Sequence, residues 1–248
     1  MAVDFPLGIQ SYCFRTYRTL DDLIGALKAV GLRYVELWPG HQDPKADEAV
    51  LQSTLRTLRA NGITMNAFGQ IVFKTDEAAA RAALGFCRMA GIKAITATVA
   101  DDPQAIALAE RLAEEYDVNL AIHNHGRKDR WGRMDQLDEL FARTSRRFGL
   151  CLDAAWMIDS GDDPVAAVDK YADRLMGVHL KDFIFDAEGK PVDVIVGEGH
   201  LDLGEFLRRL AAIGFDGYMS LEYEGQADAP LPNVIKCLQA IRGAIASL

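Results

Sequence analysis

Long apolar runs are missing from this chain; none approaches the roughly 18–20 residues that a membrane-spanning helix needs. Basic charge is also short. Against 36 acidic side chains stand 27 basic ones, a formal net charge of −9. Binders of nucleic acid or of anionic membranes carry a basic footprint, so neither partner is expected. Cysteine is scarce. Cys13, Cys87, Cys151 and Cys237 lie far apart, with no CxxC pair. That spacing gives no zinc or redox motif, and buried, reduced thiols are the expectation. The opening MAVDFPLGIQSYCF has no basic stretch and carries Asp4, which does not fit a secretory leader. A cytoplasmic protein is therefore expected. Linkers, low-complexity segments and a GxGxxG phosphate loop are absent too, and the last absence argues against a doubly wound open sheet.

What is present is enough for a large core. Hydrophobic residues make up 50% of the 248 and charged residues 25%, a balance that excludes disorder. A short apolar run, an amphipathic stretch and a glycine recur along the chain. Gly31, Gly62, Gly91 and Gly214 each follow a helix-period segment and precede an apolar run, the place where a helix ends in a left-handed residue. The first three are spaced 31 and 29 residues apart. Eight such units would use the whole chain at about 31 residues each, the length of one βα unit in a barrel of eight.

Eight strand candidates fit that count: 7–14, 34–40, 64–71, 94–100, 118–126, 148–156, 175–183 and 217–225. Several are apolar on both alternations, as parallel strands buried on both faces are. Leu20, Leu23, Ile24, Leu27 and Val30 form one helical face. Asp102-Pro103 and Asp163-Pro164 are cap-plus-proline helix starts, and Asp202 with Glu205 reads as a capping box. Segment 184–196 breaks the rhythm and reads as a turn or hairpin in the loop after the seventh strand. The expectation is a (β/α)8 TIM barrel, a single domain over residues 1–248.

Such barrels carry their chemistry at the C-terminal ends of the strands. The polar residues that fall there are Glu36, His41, His123, His125, Asp153, His179, Lys181, Glu198 and Glu222, including four of the five histidines. In AIHNHG, His123 and His125 are two apart and share one side of a strand, with Asn124 toward the helices. Asp153, His179 and Glu222 each end an apolar strand. With one of the two histidines they make two imidazoles and two carboxylates, a mixed set suited to Mn²⁺, Zn²⁺, Co²⁺ or Fe²⁺ rather than Ca²⁺. Lys181 shares the side of His179, whereas Asp182 faces away and reads as structural. Glu36 reads either as a substrate contact or as an internal anchor. His41, Glu198 in the GEGH turn, and the walls Trp38 and Trp156 are further candidate substrate contacts. Arg127, Lys128, Arg130 and Arg133 read as a solvated charged loop, with an anion site as the alternative.

These motifs together resemble the sugar phosphate isomerase/epimerase superfamily, the xylose-isomerase-like barrels. The resemblance rests on YVELWPG, LAIHNHG, LDAAW, VHLKD, GEG and SLEYE, in that order, and covers essentially the whole chain. It implies one divalent ion, manganese first, held by His123 or His125 with Asp153, His179 and Glu222. Glu222, His125 and Lys181 would carry the chemistry, and Glu36, His41, Trp156 and Glu198 would touch substrate. In the ketose epimerase branch the fifth strand supplies a glutamate where this chain has HNH. Many relatives place a histidine where Trp156 stands. Both departures resemble a subgroup with inosose-dehydratase-like and keto-sugar-processing members.

The expected function is metal-dependent isomerisation or epimerisation of a sugar, sugar phosphate, keto-sugar or polyol. The step would be proton abstraction beside a metal-polarised carbonyl. Dehydration of a keto-sugar or inosose at the same site is the alternative, and a non-catalytic sugar-binding barrel the remote one. Apurinic endonucleases share the barrel, but the charge of −9 argues against DNA. A homodimer is compatible with the sequence.

Overall fold

In the computed structural model, residues 5–248 are described; Asp4, used in the leader argument, lies outside them. The strands are β1 (Leu7–Gln10), β2 (Tyr34–Leu37), β3 (Thr64–Phe68), β4 (Ile71–Phe73), β5 (Ala94–Val99), β6 (Asn119–His123), β7 (Phe148–Asp153), β8 (Leu175–Leu180), β9 (Phe183–Phe185), β10 (Pro191–Asp193) and β11 (Tyr218–Leu221). The helices are α1 (Leu20–Ala29), α2 (Glu48–Ala60), α3 (Glu77–Ala90), α4 (Pro103–Tyr116), α5 (Met134–Ala142), α6 (Ala154–Asp159), α7 (Pro164–Lys170), α8 (Leu203–Ala212) and α9 (Leu231–Ala246).

Nine strands form one sheet in the order β3-β2-β1-β11-β8-β7-β6-β5-β4, and every neighbouring pair is parallel. The order begins and ends on two pieces of one chain segment. β3 pairs with β2 and β4 with β5, and only Gly69 and Gln70 separate the pieces. The third expected strand is thus broken at its glycine, and its halves close an eight-position (β/α)8 barrel. A Cβ on Gly69 would lie 2.3 Å from the Thr96 carbonyl oxygen, so only glycine lets the broken strand pass β5 this closely. β9 and β10 form the expected hairpin, antiparallel and outside the barrel.

The helix signals act as read. Asp102, Asp163 and Asp202 accept first-turn N–H bonds, and Pro103 and Pro164 open their helices. The 202–205 pair forms only half of a capping box, because the Glu205 side chain pairs with Arg208 instead. The expected first strand ends early, at Gln10, and continues as a 3₁₀ turn over Ser11–Phe14.

Most of the core lies between sheet and helices. Inside the barrel, a lower layer of Ala67, Ala94, Ala121 and Cys151 surrounds Tyr218. Small residues suffice there because Tyr218 fills the space; a Cβ on Gly177 would overlap its ring at 2.1 Å. Two residues on from Ala121, Cys151 and Gly177 stand His123, Asp153 and His179, and Glu222 stands four on from Tyr218. The four cysteines are buried and unpaired. No helix among the described residues is long and apolar enough to cross a membrane.

Candidate metal centre

His123 ends β6, Asp153 ends β7, and His179 lies one residue before the end of β8. Glu222 follows β11 directly. Parallel pairing brings these strand ends to one level, with Asp153 opposite His179 in register. All four residues are buried, and one donor atom from each lies within 4.8 Å of the others. His123 Nε2 is 3.5 Å from Asp153 Oδ2 and 3.8 Å from Glu222 Oε2. His179 Nδ1 is 3.3 Å from Glu222 Oε2 and 3.9 Å from Asp153 Oδ2.

Neighbouring groups fix each donor. His179 Nε2 bonds Glu36 Oε2 at 2.8 Å, which leaves Nδ1 for the centre. Glu36 is fully buried and also accepts from Thr96 Oγ1 at 2.5 Å. Thr96 continues the network to Tyr218 Oη. Asp153 spends Oδ1 on capping α6 through the Trp156 N–H and leaves Oδ2 free. Asn124 clips the two strand ends together. Its amide donates to the Asp153 carbonyl, and its oxygen accepts from the Asp153 N–H. Its side chain is therefore a brace between the ends of β6 and β7.

The atoms left over are the ones a cation would use. Among the described residues, His123 Nε2, Asp153 Oδ2 and His179 Nδ1 are buried without a hydrogen-bond partner. Buried polar atoms are seldom left so, and three turned toward one point fit a divalent ion with mixed nitrogen and oxygen donors. Charge tells the same story. Burial pulls His123 down, but the nearby Asp153 and Glu222 carboxylates outweigh it and hold the imidazole up at about 9. Burial alone would raise Glu222, but the Lys181 and His179 charges hold it well below the usual carboxylate range. The carboxylates thus keep a proton on His123 at neutral pH where an ion would otherwise sit.

A cavity of about 340 Å³ opens onto this centre. His125 lies on its wall with its ring 5.6 Å from that of His123 and outside the four-donor cluster. Of the two histidines, His123 is the one that belongs to the four-donor cluster.

Other expected contacts lie elsewhere. His41 is occupied on both ring nitrogens, by Ser11 Oγ at 2.9 Å and by the Tyr17 carbonyl at 3.1 Å. Its ring meets Trp38 edge-on, so it supports a cavity wall rather than touching the cavity. Glu36 sits behind His179, so the anchor alternative describes it. Glu198 is exposed on its turn, in a separate surface depression with Lys236, because Asp182 directs that loop away. The Asp182 carboxylate accepts from the N–H groups of Phe183, Gly197, Gly199 and Leu201. Lys181 has no side-chain exposure; its ammonium is held by Glu222 at 3.3 Å and by Glu224. It touches Glu222 rather than the cavity. Trp38 lines the cavity, and Trp156 packs on His125. Arg127, Arg130 and Arg133 are all in ion pairs, Arg127 with the buried Asp159.

Gln10, Tyr12, Gln70 and Glu224 also line the cavity and were not anticipated. Glu224 had a signal, since it stands two residues after Glu222. Gln70 had none, because it lies in the break between β3 and β4.

A closed parallel barrel with two imidazoles and two carboxylates at the strand ends defines the class, a TIM barrel with a candidate metal centre. The chain belongs to the xylose isomerase-like TIM barrel family, whose pattern it matches over residues 24–241. Among curated proteins it is similar to the rhizopine catabolism protein MocC of Rhizobium meliloti, 32% identical over 135 residues, 47% of this chain and 40% of that one. It is also similar to an inosose dehydratase of Clostridium beijerinckii, 26% identical over 129 residues, 46% of this chain and 43% of that one. The matches thus span less than half the length of either relative. Among solved structures it resembles the IOLI protein with a binding zinc atom. The TM-score is 0.77 at 17% identity, covering 97% of this chain and 98% of that one.

Proposed function

We propose that this barrel is a divalent-metal-dependent enzyme that removes a proton beside the carbonyl of a sugar, keto-sugar or polyol, free or phosphorylated. The observation that carries the reading is the buried four-donor cluster with its unpaired atoms turned inward. The zinc of the IOLI structure and the inosose dehydratase relatives support it. Manganese is the first candidate, and zinc, cobalt or ferrous iron suit the same donors. Such an ion, when bound, would polarise the substrate carbonyl.

The chain's own residues supply the rest. Glu222 is ionised at neutral pH and able to accept a proton. His125, open to the cavity, is the second proton-transfer group. Lys181 is a positioning residue that fixes Glu222 and Glu224. Trp38 and Trp156 give apolar faces for a sugar ring. Return of the proton yields an isomer or epimer; loss of a β-hydroxyl yields a dehydrated product. The dehydratase reading gains from His123, which stands where a two-carboxylate epimerase needs an acid.

The test is a screen of ketohexoses, 3-keto-sugars, inososes and their phosphates with added Mn²⁺, followed by Glu222→Gln. Turnover of any active substrate should fall at least about 100-fold while binding of that substrate persists. Full activity in the variant contradicts the assignment, and product analysis separates epimer from dehydrated product.

A further inference from the structure

A second slot of about 480 Å³ adjoins the metal cavity, and His125 lines both. One wall is Trp156, whose ring packs against His125 with centroids 4.4 Å apart. The other is the tip of the β9–β10 hairpin, including Gly189 and Pro191. Arg127 ties the two walls together. Its guanidinium bonds Asp159 at the end of α6 at 2.7 Å and the Gly189 carbonyl at 2.7 Å. The slot is therefore a built feature rather than a gap under a loose loop.

Three observations say what it takes. Its volume exceeds that of the cavity over the metal donors, so a single phosphate would leave most of it empty. Its walls are mainly apolar, with aromatic and imidazole faces suited to stacking. Lys128 and Lys190 edge the slot and make no ion pair among the described residues, unlike Arg127, Arg130 and Arg133.

We propose that this slot is a second substrate subsite, which binds a flat-faced ring joined to the sugar held over the metal donors. The inference rests on the metal-site reading and sharpens it: the substrate is a keto-glycoside, or a two-ring sugar with a free carbonyl, rather than a free monosaccharide or its phosphate. The ring packs on Trp156, and outer hydroxyls meet Lys128 and Lys190.

The experiment measures binding to the Mn²⁺-equilibrated protein by calorimetry. The probes are phenyl β-D-glucoside, methyl β-D-glucoside and glucose 6-phosphate. Phenyl glucoside should bind at least tenfold more tightly than methyl glucoside. Trp156→Leu should erase that preference and Trp156→Phe should retain most of it, with Mn²⁺ titration of each variant reporting an intact fold. Equal or absent binding of the two glucosides overturns the subsite. So does tighter binding of glucose 6-phosphate that is lost in Lys128→Ala/Lys190→Ala, which would make the slot a phosphate site. Failure of the metal reading looks different: no Mn²⁺ binds, while a phenyl preference that depends on Trp156 survives and upholds the slot.

Discussion

At the scale of single residues, the centre is a set of donors each held by a partner. Glu36 holds His179 so that Nδ1 faces inward. Glu36→Gln keeps the shape but lowers the charge behind the imidazole, and should weaken Mn²⁺ binding about 10- to 100-fold with little change in fold. Unchanged affinity by titration would show that Glu36 does not support the ligand. Protons report the same geometry. His123 is raised to about 9 in the metal-free protein, so it is protonated at pH 7, and an ion must displace that proton. Metal binding at pH 7 should therefore release about one proton or more per ion, and affinity should climb as pH rises toward 9. Calorimetry in buffers of different ionisation enthalpy reads the release directly, and none released would contradict a protonated His123.

At the scale of elements, strand ends were legible in the sequence and loops were not. Asp153, His179 and Glu222 could be placed because each closes an apolar parallel strand, where register leaves little freedom. His41 and Glu198 follow strands by several residues, and there hydrogen bonds inside the loop decide direction. Asp182 shows how. One carboxylate gathers four backbone N–H groups and so turns the 197–201 loop outward. Asp182→Ala should lower stability by about 3 kcal/mol in urea unfolding, since buried donors lose their acceptor. A loss below about 0.5 kcal/mol would mean that water replaces the carboxylate. The break in the third strand was equally hidden, because Gly69-Gln70 lies inside a run that reads as one strand.

At the scale of the whole molecule, four helix-ending glycines and eight strand candidates were enough to indicate the barrel, and the closure through β3 and β4 completes it. The formal charge of −9 includes Glu36, Asp153 and Glu222, which are buried in or behind the centre and do nothing for surface solubility. A cation that offsets them binds the folded state alone, because the donors come from three separate strands and the residue after a fourth. At about 100 times its dissociation constant, Mn²⁺ should add about 2.7 kcal/mol of stability and raise Tm by roughly 5–10 °C. The most direct measurement is the metal stoichiometry of chelator-stripped, Mn²⁺-equilibrated protein, beside that of His179→Ala. One ion per chain, lost in the variant, is the predicted result. Absence of bound Mn²⁺, Zn²⁺ or Co²⁺, or an ion retained undiminished in His179→Ala, would contradict the account.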